Sequence, residues 1–148
     1  MHEKRSHGNV SYHLQVSLHP DIDHTKFRVY SGFGQQLAPI VFLDAAGVID
    51  GLAAIYPATV TRLFNLAVKR PITNDALKEI QSLQFAVSQA EEFIVKWGIA
   101  GIREGIYRAL GMGTLEGGRL PLKGSIPSDE WEKWESATSA MAKIEHSL

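Results

Sequence analysis

The stretch FRVYSGFGQQLAPIVFLDAAGVIDGLAAIYP, residues 27–57, decides the fold of this chain. Its first five residues, 27–31, are rich in β-formers and run into a glycine-containing turn. Residues 35–43 are apolar enough for a crossover helix, with Pro39 in its first turns, where proline is tolerated. The short apolar run at 47–50 is typical of a strand covered on both faces. The stretch therefore predicts one parallel βαβ unit with a right-handed crossover.

The composition is that of one globular domain. The 148 residues suffice for a single modest core, and 45% of them are apolar. Fifteen Lys and Arg residues balance sixteen Asp and Glu residues, which gives no reason to expect nucleic acid or acidic lipid as a partner. No apolar run approaches the roughly 20 residues of a membrane span. The absence of cysteine excludes disulfides and thiolate chemistry.

The first 24 residues contain five of the six histidines. Their start, MHEKRSHGN, lacks the apolar segment of a signal peptide, and the compartment stays open between cytoplasm and mitochondrion. Residues 1–9 are too charged for a buried strand, whereas Val10, Leu14 and Leu18 predict a short amphipathic helix over 9–18. No two histidines have the spacing of a helical zinc site, so scattered surface histidines are favoured over a metal site.

The middle of the chain has the apolar periodicity of helices. Pro57 opens one helix, whose apolar face comprises Val60, Leu63, Phe64, Ala67 and Val68. The longest helix is predicted over 74–97, with a continuous seam at Ile80, Leu83, Val87, Ala90, Ile94 and Trp97. Packing within the chain is the favoured interpretation of this seam, and a subunit contact is the alternative.

Two later segments carry local signals. Gly98, Gly101 and Gly105 form one helical stripe at a cost of about 0.5–1 kcal/mol each relative to alanine, which predicts the close approach of another backbone. Ser128 is a good N-cap for the last helix. The apolar face of that helix comprises Trp134, Ala137, Met141, Ile144 and Leu148, with Trp131 and Trp134 as core anchors.

Four segments of the chain resemble a known family of enzymes. They are VYSG at 29–32, GVIDGLA at 47–53 with YP at 56–57, WGIAGI at 97–102 and GGRLPL at 117–122. In this order they are similar to the carboxyl-terminal half of the dihydrodipicolinate synthase / N-acetylneuraminate lyase family of (β/α)₈ TIM barrels, and closest to its 4-hydroxy-2-oxoglutarate aldolases. The resemblance implies an α/β fold. Residues 1–70 would supply barrel strands six to eight, and residues 71–148 a helical tail, within one continuous structural unit.

Lys4 is the candidate catalytic residue. The segment KRSHGN, residues 4–9, is similar to the family's pattern around its Schiff-base lysine at the end of the sixth strand. The resemblance implies that Lys4 attacks the ketone of pyruvate or another 2-oxo acid, and that backbone groups of Gly32 and Ile49 line the pocket. The protonated imine is an electron sink that permits cleavage or formation of the adjacent carbon–carbon bond. An attacking amine must be neutral, so its pKa must fall from about 10.4 through burial or neighbouring cations. This lyase chemistry uses no metal and no cofactor.

The chain departs from the family in its length. A full barrel takes roughly 250 residues, and strands one to five are absent from these 148. The family's carboxylate-binding loop and proton-relay tyrosine are absent with them, and the sixth strand is cut to three residues before Lys4. None of Tyr12, Tyr30, Tyr56 and Tyr107 has the sequence context of the relay. We therefore expect a truncated lyase with little activity as an isolated chain. The alternative is a non-catalytic helical assembly or regulatory module, and the resemblance also implies a homo-oligomer, either a dimer or a tetramer.

Overall fold

The computed structural model describes residues 8–148 and the backbone of residues 2–5. This part of the chain contains short strands, two 3₁₀ turns and six helices. In chain order the elements are β1 (His2–Arg5), α1 (Val10–Ser17), β2 (Arg28–Ser31), the first 3₁₀ turn (Gly34–Gln36), α2 (Leu37–Val41), β3 (Gly47–Val48), the second 3₁₀ turn (Leu52–Ala54), α3 (Pro57–Val68), α4 (Asn74–Leu110), α5 (Ser128–Glu132) and α6 (Glu135–Ser147).

The strands form one parallel sheet in the order β1-β2-β3. Lys4 is in register with Tyr30, and Ser31 is in register with Val48. The predicted parallel βαβ unit is thus confirmed, although β3 is shorter than the strand predicted at 47–50. The charged segment at the start contributes β1, because strand pairing uses backbone groups that every residue except proline offers in full.

The chain is exposed where it leaves β3. Burial alternates along β2, where Val29 and Ser31 are buried, Arg28 is exposed and Tyr30 is half-buried. Directly after β3, Ile49 is 52% exposed. The expectation that this segment is covered on both faces is therefore wrong, because the described helices leave Ile49 uncovered.

The seam of α4 is buried within the chain. Its members Ile80, Leu83, Val87, Ala90 and Ile94 are at most 8% exposed, and Trp97 packs against them. The same core contains Leu37 and Ile40 of α2, Leu63 and Ala67 of α3, and Met141 of α6. Packing within the chain is confirmed as the interpretation of the seam, which leaves the seam unavailable as a subunit contact.

The helix α4 is interrupted at Gly98, where φ is 53° and ψ is −134°. This agrees with the predicted helix end at 97. The prediction that a backbone approaches the glycine stripe is wrong. Apolar side chains occupy the space at Gly101 and Gly105, and no atom lies within 4 Å of a Cβ atom built on Gly98. A Cβ atom on Gly105 would overlap Ile55, and one on Gly101 would lie 2.9 Å from the Cβ atom of Trp97. Among the described residues, neither α4 nor any other helix has the length and apolar character needed to cross a membrane.

Helix α1 buries polar side chains at the centre of its packed face. His13 is 1% exposed and Ser17 is also buried, whereas Leu18 is exposed and Val10 and Leu14 are only partly buried. The predicted apolar face is therefore wrong, and so is the prediction of a surface position for His13. Helix α1 packs against β2 and α2, and the apolar periodicity of an eight-residue helix is too weak to decide which of its faces is buried there.

The carboxyl end is divided into two helices. Ser128 is the first residue of α5 and makes no capping hydrogen bond, so its prediction as N-cap is wrong. Helical hydrogen bonds already begin at the carbonyl of Pro127, which occupies the cap position. Trp131 and Trp134 pack against Phe93 with ring centroids 5.1 and 6.0 Å away, which confirms both as core anchors.

Candidate functional site

The backbones of the three predicted site residues lie towards one edge of the sheet. Gly32 directly follows β2, and Ile49 directly follows β3. The Ile49 N–H donates a hydrogen bond to the Ser31 carbonyl at 2.9 Å, which joins the two strand ends. Lys4 lies on the neighbouring strand β1, in register with Tyr30 of β2. Because the strands are parallel, their carboxyl ends meet at this edge, where parallel α/β folds place their sites.

The structure places these three positions without testing their roles. The side chain of Lys4 lies outside the described part of the chain, so the Schiff-base role stays a prediction. The substrate-binding roles of Gly32 and Ile49 also stay predictions. What the geometry provides is a common edge at which the residue Ile49 is exposed.

The turn after β2 is held by Ser31, which is fully buried. Its Oγ accepts a hydrogen bond from the Phe33 N–H at 3.1 Å and donates one to Oε1 of buried Gln36 at 2.6 Å. A serine at the strand end thereby satisfies backbone and side-chain groups that would otherwise be buried without partners. The path of the chain through Gly32 is fixed from both sides.

Gln84 of α4 ties the same turn to the long helix. Its Nε2 donates to the Gly34 carbonyl at 3.1 Å, and its Oε1 accepts from the Ala38 N–H at 2.8 Å. The second bond supplies an acceptor for a backbone N–H in the first turn of α2, which has no partner within the helix. One amide side chain thus connects the site edge with the core.

The turn after β3 is held by Asp50. Its Oδ1 accepts a hydrogen bond from the Ala53 N–H at 3.0 Å, which caps the second 3₁₀ turn. The adjacent Gly51 is required by close packing, because a Cβ atom there would lie 2.6 Å from Cγ1 of Ile102. Ile49 is therefore held by the sheet on one side and by a capped turn on the other.

Glu91 of α4 is a buried acid beside this turn. It is 1% exposed, and burial together with the neighbouring charge of Asp50 raises its pKa to about 8. The Gly34 N–H favours the ionised form and only partly offsets these effects. At neutral pH the carboxyl group of Glu91 is therefore mainly protonated.

Sequence reasoning missed the pairing of Asp50 with Glu91. A signal was present, since Glu91 follows Val87 by four residues and precedes Ile94 by three, which places an acid on the apolar seam of α4. Its partner lies 41 positions earlier in the chain, and nothing local connects the two.

Tyr56 precedes α3 and faces the helical tail rather than the site edge. Its hydroxyl donates to the Thr138 carbonyl at 3.0 Å, and burial, followed by the charge of Glu145, raises its pKa to about 12. It is therefore a neutral structural donor at physiological pH. Among the described residues, no group of three or more His, Asp and Glu side chains is arranged to hold a metal ion.

Comparison with known proteins identifies the fold. No protein-family model matches the sequence. A dihydrodipicolinate synthase family protein from Coccidioides immitis matches 100% of this chain with a TM-score of 0.76 and 18% identity. A variant of the 2-keto-3-deoxygluconate aldolase from Sulfolobus solfataricus matches 97% of the chain, with a TM-score of 0.72 and 16% identity. Dihydrodipicolinate synthase from Bacteroides thetaiotaomicron matches 100% of it, with a TM-score of 0.68 and 21% identity.

The chain spans about half the length of these proteins, namely 47%, 45% and 46% of them in the same order. They are TIM barrels of the dihydrodipicolinate synthase type, so this chain has the fold of about half of such a barrel. The resemblance inferred from sequence is confirmed at the level of the fold.

Proposed function

We propose that the chain is the carboxyl-terminal, lysine-bearing part of a Schiff-base-forming lyase of the dihydrodipicolinate synthase / N-acetylneuraminate lyase family. In this assignment β1, β2 and β3 are barrel strands six, seven and eight. The observation that carries the proposal is the fold match over the whole chain, which agrees with a lysine pattern, a Ser-Gly turn and a Gly-Val-Ile strand found independently in the sequence.

The proposed reaction is aldol cleavage or condensation of a 2-oxo acid. Lys4 attacks the ketone, water is lost, and the resulting protonated imine accepts the electron pair of the adjacent carbon–carbon bond. Gly32 and Ile49 line the pocket through their backbones, and Ile49 lies at an exposed position of the site edge. The substrate class is supported by a solved complex of the Sulfolobus aldolase with D-KDPG, to which the fold of this chain is similar.

The remaining pocket walls are proposed to come from elsewhere. The chain corresponds to 45–47% of the length of the matched proteins, and it offers no counterpart of the family's carboxylate-binding loop or relay tyrosine. We therefore expect little activity from residues 1–148 alone, and full activity when the missing barrel half is supplied. A non-catalytic assembly role has less support, because the seam, which together with the tail could have supplied the contact surface, is buried in the core.

Reductive trapping tests the proposal. In a chimera, residues 1–148 replace the matching half of a dihydrodipicolinate synthase family enzyme, and the protein is treated with pyruvate and borohydride. We expect a stable adduct on Lys4, located by mass spectrometry, because reduction fixes an imine irreversibly. Lys4→Ala should abolish the adduct, whereas Lys69→Ala, which removes an exposed lysine, should retain it.

Two outcomes contradict the proposal. A folded chimera without an adduct on Lys4 would refute the role of Lys4. Efficient trapping on Lys4 in the isolated chain would instead refute the dependence on a second barrel half.

A further inference from the structure

A pair of carboxyl groups adjoins the proposed site, and the imine chemistry described above does not use it. Asp50 directly follows Ile49, and Glu91 approaches it from α4 across the turn at Gly34. A Cβ atom on Gly34 would overlap Asp50 Oδ2, would lie 3.0 Å from Glu91 Oε2, and would lie 3.2 Å from a methyl group of Val87. Only glycine therefore leaves room for both carboxyl groups at this turn.

The facing oxygens of the pair, Asp50 Oδ2 and Glu91 Oε2, are both shielded from solvent. Both lie beside the same point above Gly34, where a Cβ atom would stand. Two ionised carboxylates would lose their hydration and repel each other in such a place. A carboxylic acid beside a carboxylate is stable there, because the acid donates a charge-assisted hydrogen bond.

The other charges around Glu91 do not neutralise the pair. In the described part of the chain, the ionisable groups that act on Glu91 are Asp50 and, more weakly, Glu92. The first and second 3₁₀ turns and α2, which pack against α4, have no titratable side chains. The charged groups of α3, α5 and α6 are engaged elsewhere or exposed. Arg62 pairs with Glu79, Glu130 pairs with Lys96 and Lys133, and Glu145 caps α3. The remaining charged side chains of these helices are exposed.

We propose that Asp50 and Glu91 share one proton and act as positioning residues that hold the Ile49 backbone at the site edge. This inference rests on the proposed function, since Ile49 is the residue expected to line the substrate pocket. Loss of the shared proton leaves two negative charges facing each other across Gly34. Because Asp50 is the next residue in the chain, their repulsion displaces the Ile49 peptide.

Infrared spectroscopy of the 148-residue chain tests the shared proton. The wild-type chain should show the carbonyl band of a protonated carboxylic acid at neutral pH, well above the pH at which exposed acids ionise. Glu91→Gln should remove this band, and Glu92→Gln, an exposed neighbour, should retain it. A wild-type chain without the band overturns the inference.

Amide exchange of the same chain tests the positioning. The protection factor of the Ile49 N–H should fall by roughly tenfold or more above about pH 8, because opening of the strand end exposes it. Glu91→Gln should match the wild type at neutral pH and lack the alkaline fall, and Asp50→Asn should also lack it. Glu92→Gln should keep it. An alkaline fall that persists in both Glu91→Gln and Asp50→Asn overturns the inference.

The chimera separates this inference from the proposed function. Its rate of reductive trapping should fall by roughly tenfold to a hundredfold at alkaline pH, as small misplacements in a site do, and Glu91→Gln should remove that fall. A chimera that traps pyruvate with the same alkaline fall in Glu91→Gln refutes the positioning role and leaves the role of Lys4 intact. A folded chimera that traps nothing at any pH refutes the role of Lys4, and the infrared and exchange measurements on the 148-residue chain then decide the shared proton and the positioning by themselves.

Discussion

At the residue scale, Glu91 shows how burial changes the chemistry of one carboxyl group. In water a glutamate ionises near 4.5, whereas here burial and the charge of Asp50 raise the pKa to about 8. The folded chain therefore keeps a proton that the unfolded chain releases. This difference in bound protons makes stability depend on pH.

We predict that stability falls as pH rises from 4.5 to about 8, because in this interval the unfolded state binds fewer protons at Glu91 than the folded state does. The free energy of unfolding falls by at most roughly 1.4 kcal/mol per pH unit in this interval. The stabilisation from protonated Glu91 is fully present below pH 4.5 and lost above about pH 8. Urea unfolding across the interval measures it.

Glu91→Gln should flatten this part of the stability profile, and Glu92→Gln should leave it unchanged. Equal slopes in the wild type and Glu91→Gln would show that Glu91 is already ionised in the folded chain.

At the scale of elements, α3 begins with a cap supplied by another helix. Glu145 of α6 accepts hydrogen bonds from the Ala58 N–H at 2.8 Å, the Thr59 N–H at 2.7 Å and the Thr59 Oγ at 2.7 Å. These groups belong to the first turn of α3, where backbone N–H groups have no partner within the helix and the dipole favours a negative charge. Pro57, a local signal, sets where α3 begins. The N–H groups of Ala58 and Thr59 receive their acceptor from α6, which is distant in sequence.

Glu145→Ala should lower the free energy of unfolding by about 1–3 kcal/mol, because it leaves these donors without their acceptor and Thr59 is fully buried. Glu145→Gln keeps an acceptor oxygen and should cost less. Thermal unfolding measures both, with Lys143→Ala on an exposed position of α6 as the control. A loss no larger in Glu145→Ala than in Lys143→Ala would mean that water replaces the cap.

At the scale of the whole molecule, one core joins the sheet region to the tail. Met141 of α6 is fully buried in the cluster that also holds Leu37 and Leu63. We therefore propose that residues 1–70 and 71–148 unfold together. A substitution at Met141 should therefore lower the free energy of unfolding of both regions together.

Met141→Ala should lower the stability by about 2–5 kcal/mol, because it removes buried methylene groups and leaves a cavity. Urea unfolding followed by far-ultraviolet circular dichroism and by tryptophan fluorescence should show coincident transitions in the wild type and the variant. Ser139→Ala, on an exposed position of α6, is the control. Two separated transitions would indicate that the tail folds independently of residues 1–70.

The parallel unit at 27–57 and the helices opened by Pro57 and Asn74 follow from the sequence because their signals are local. Apolar spacing, proline and glycine act within a few residues, and the seam of α4 is long enough to specify its buried face. Shorter elements gave weaker signals. In α1 eight residues were too few, and docking against β2 buried His13 in place of Leu18.

The sequence by itself determined the order of the strands and helices, the family likeness, and Lys4, Gly32 and Ile49 as candidate site positions. Only the tertiary structure decided that Ile49 stays exposed and that Asp50 meets Glu91 across Gly34. The physical reason is that burial and the pKa of a carboxyl group depend on what lies nearby in space. The residues of the 27–57 unit are neighbours along the chain. Glu91, the acid beside the last strand of this unit, belongs instead to the middle of α4, which begins 17 residues after Pro57.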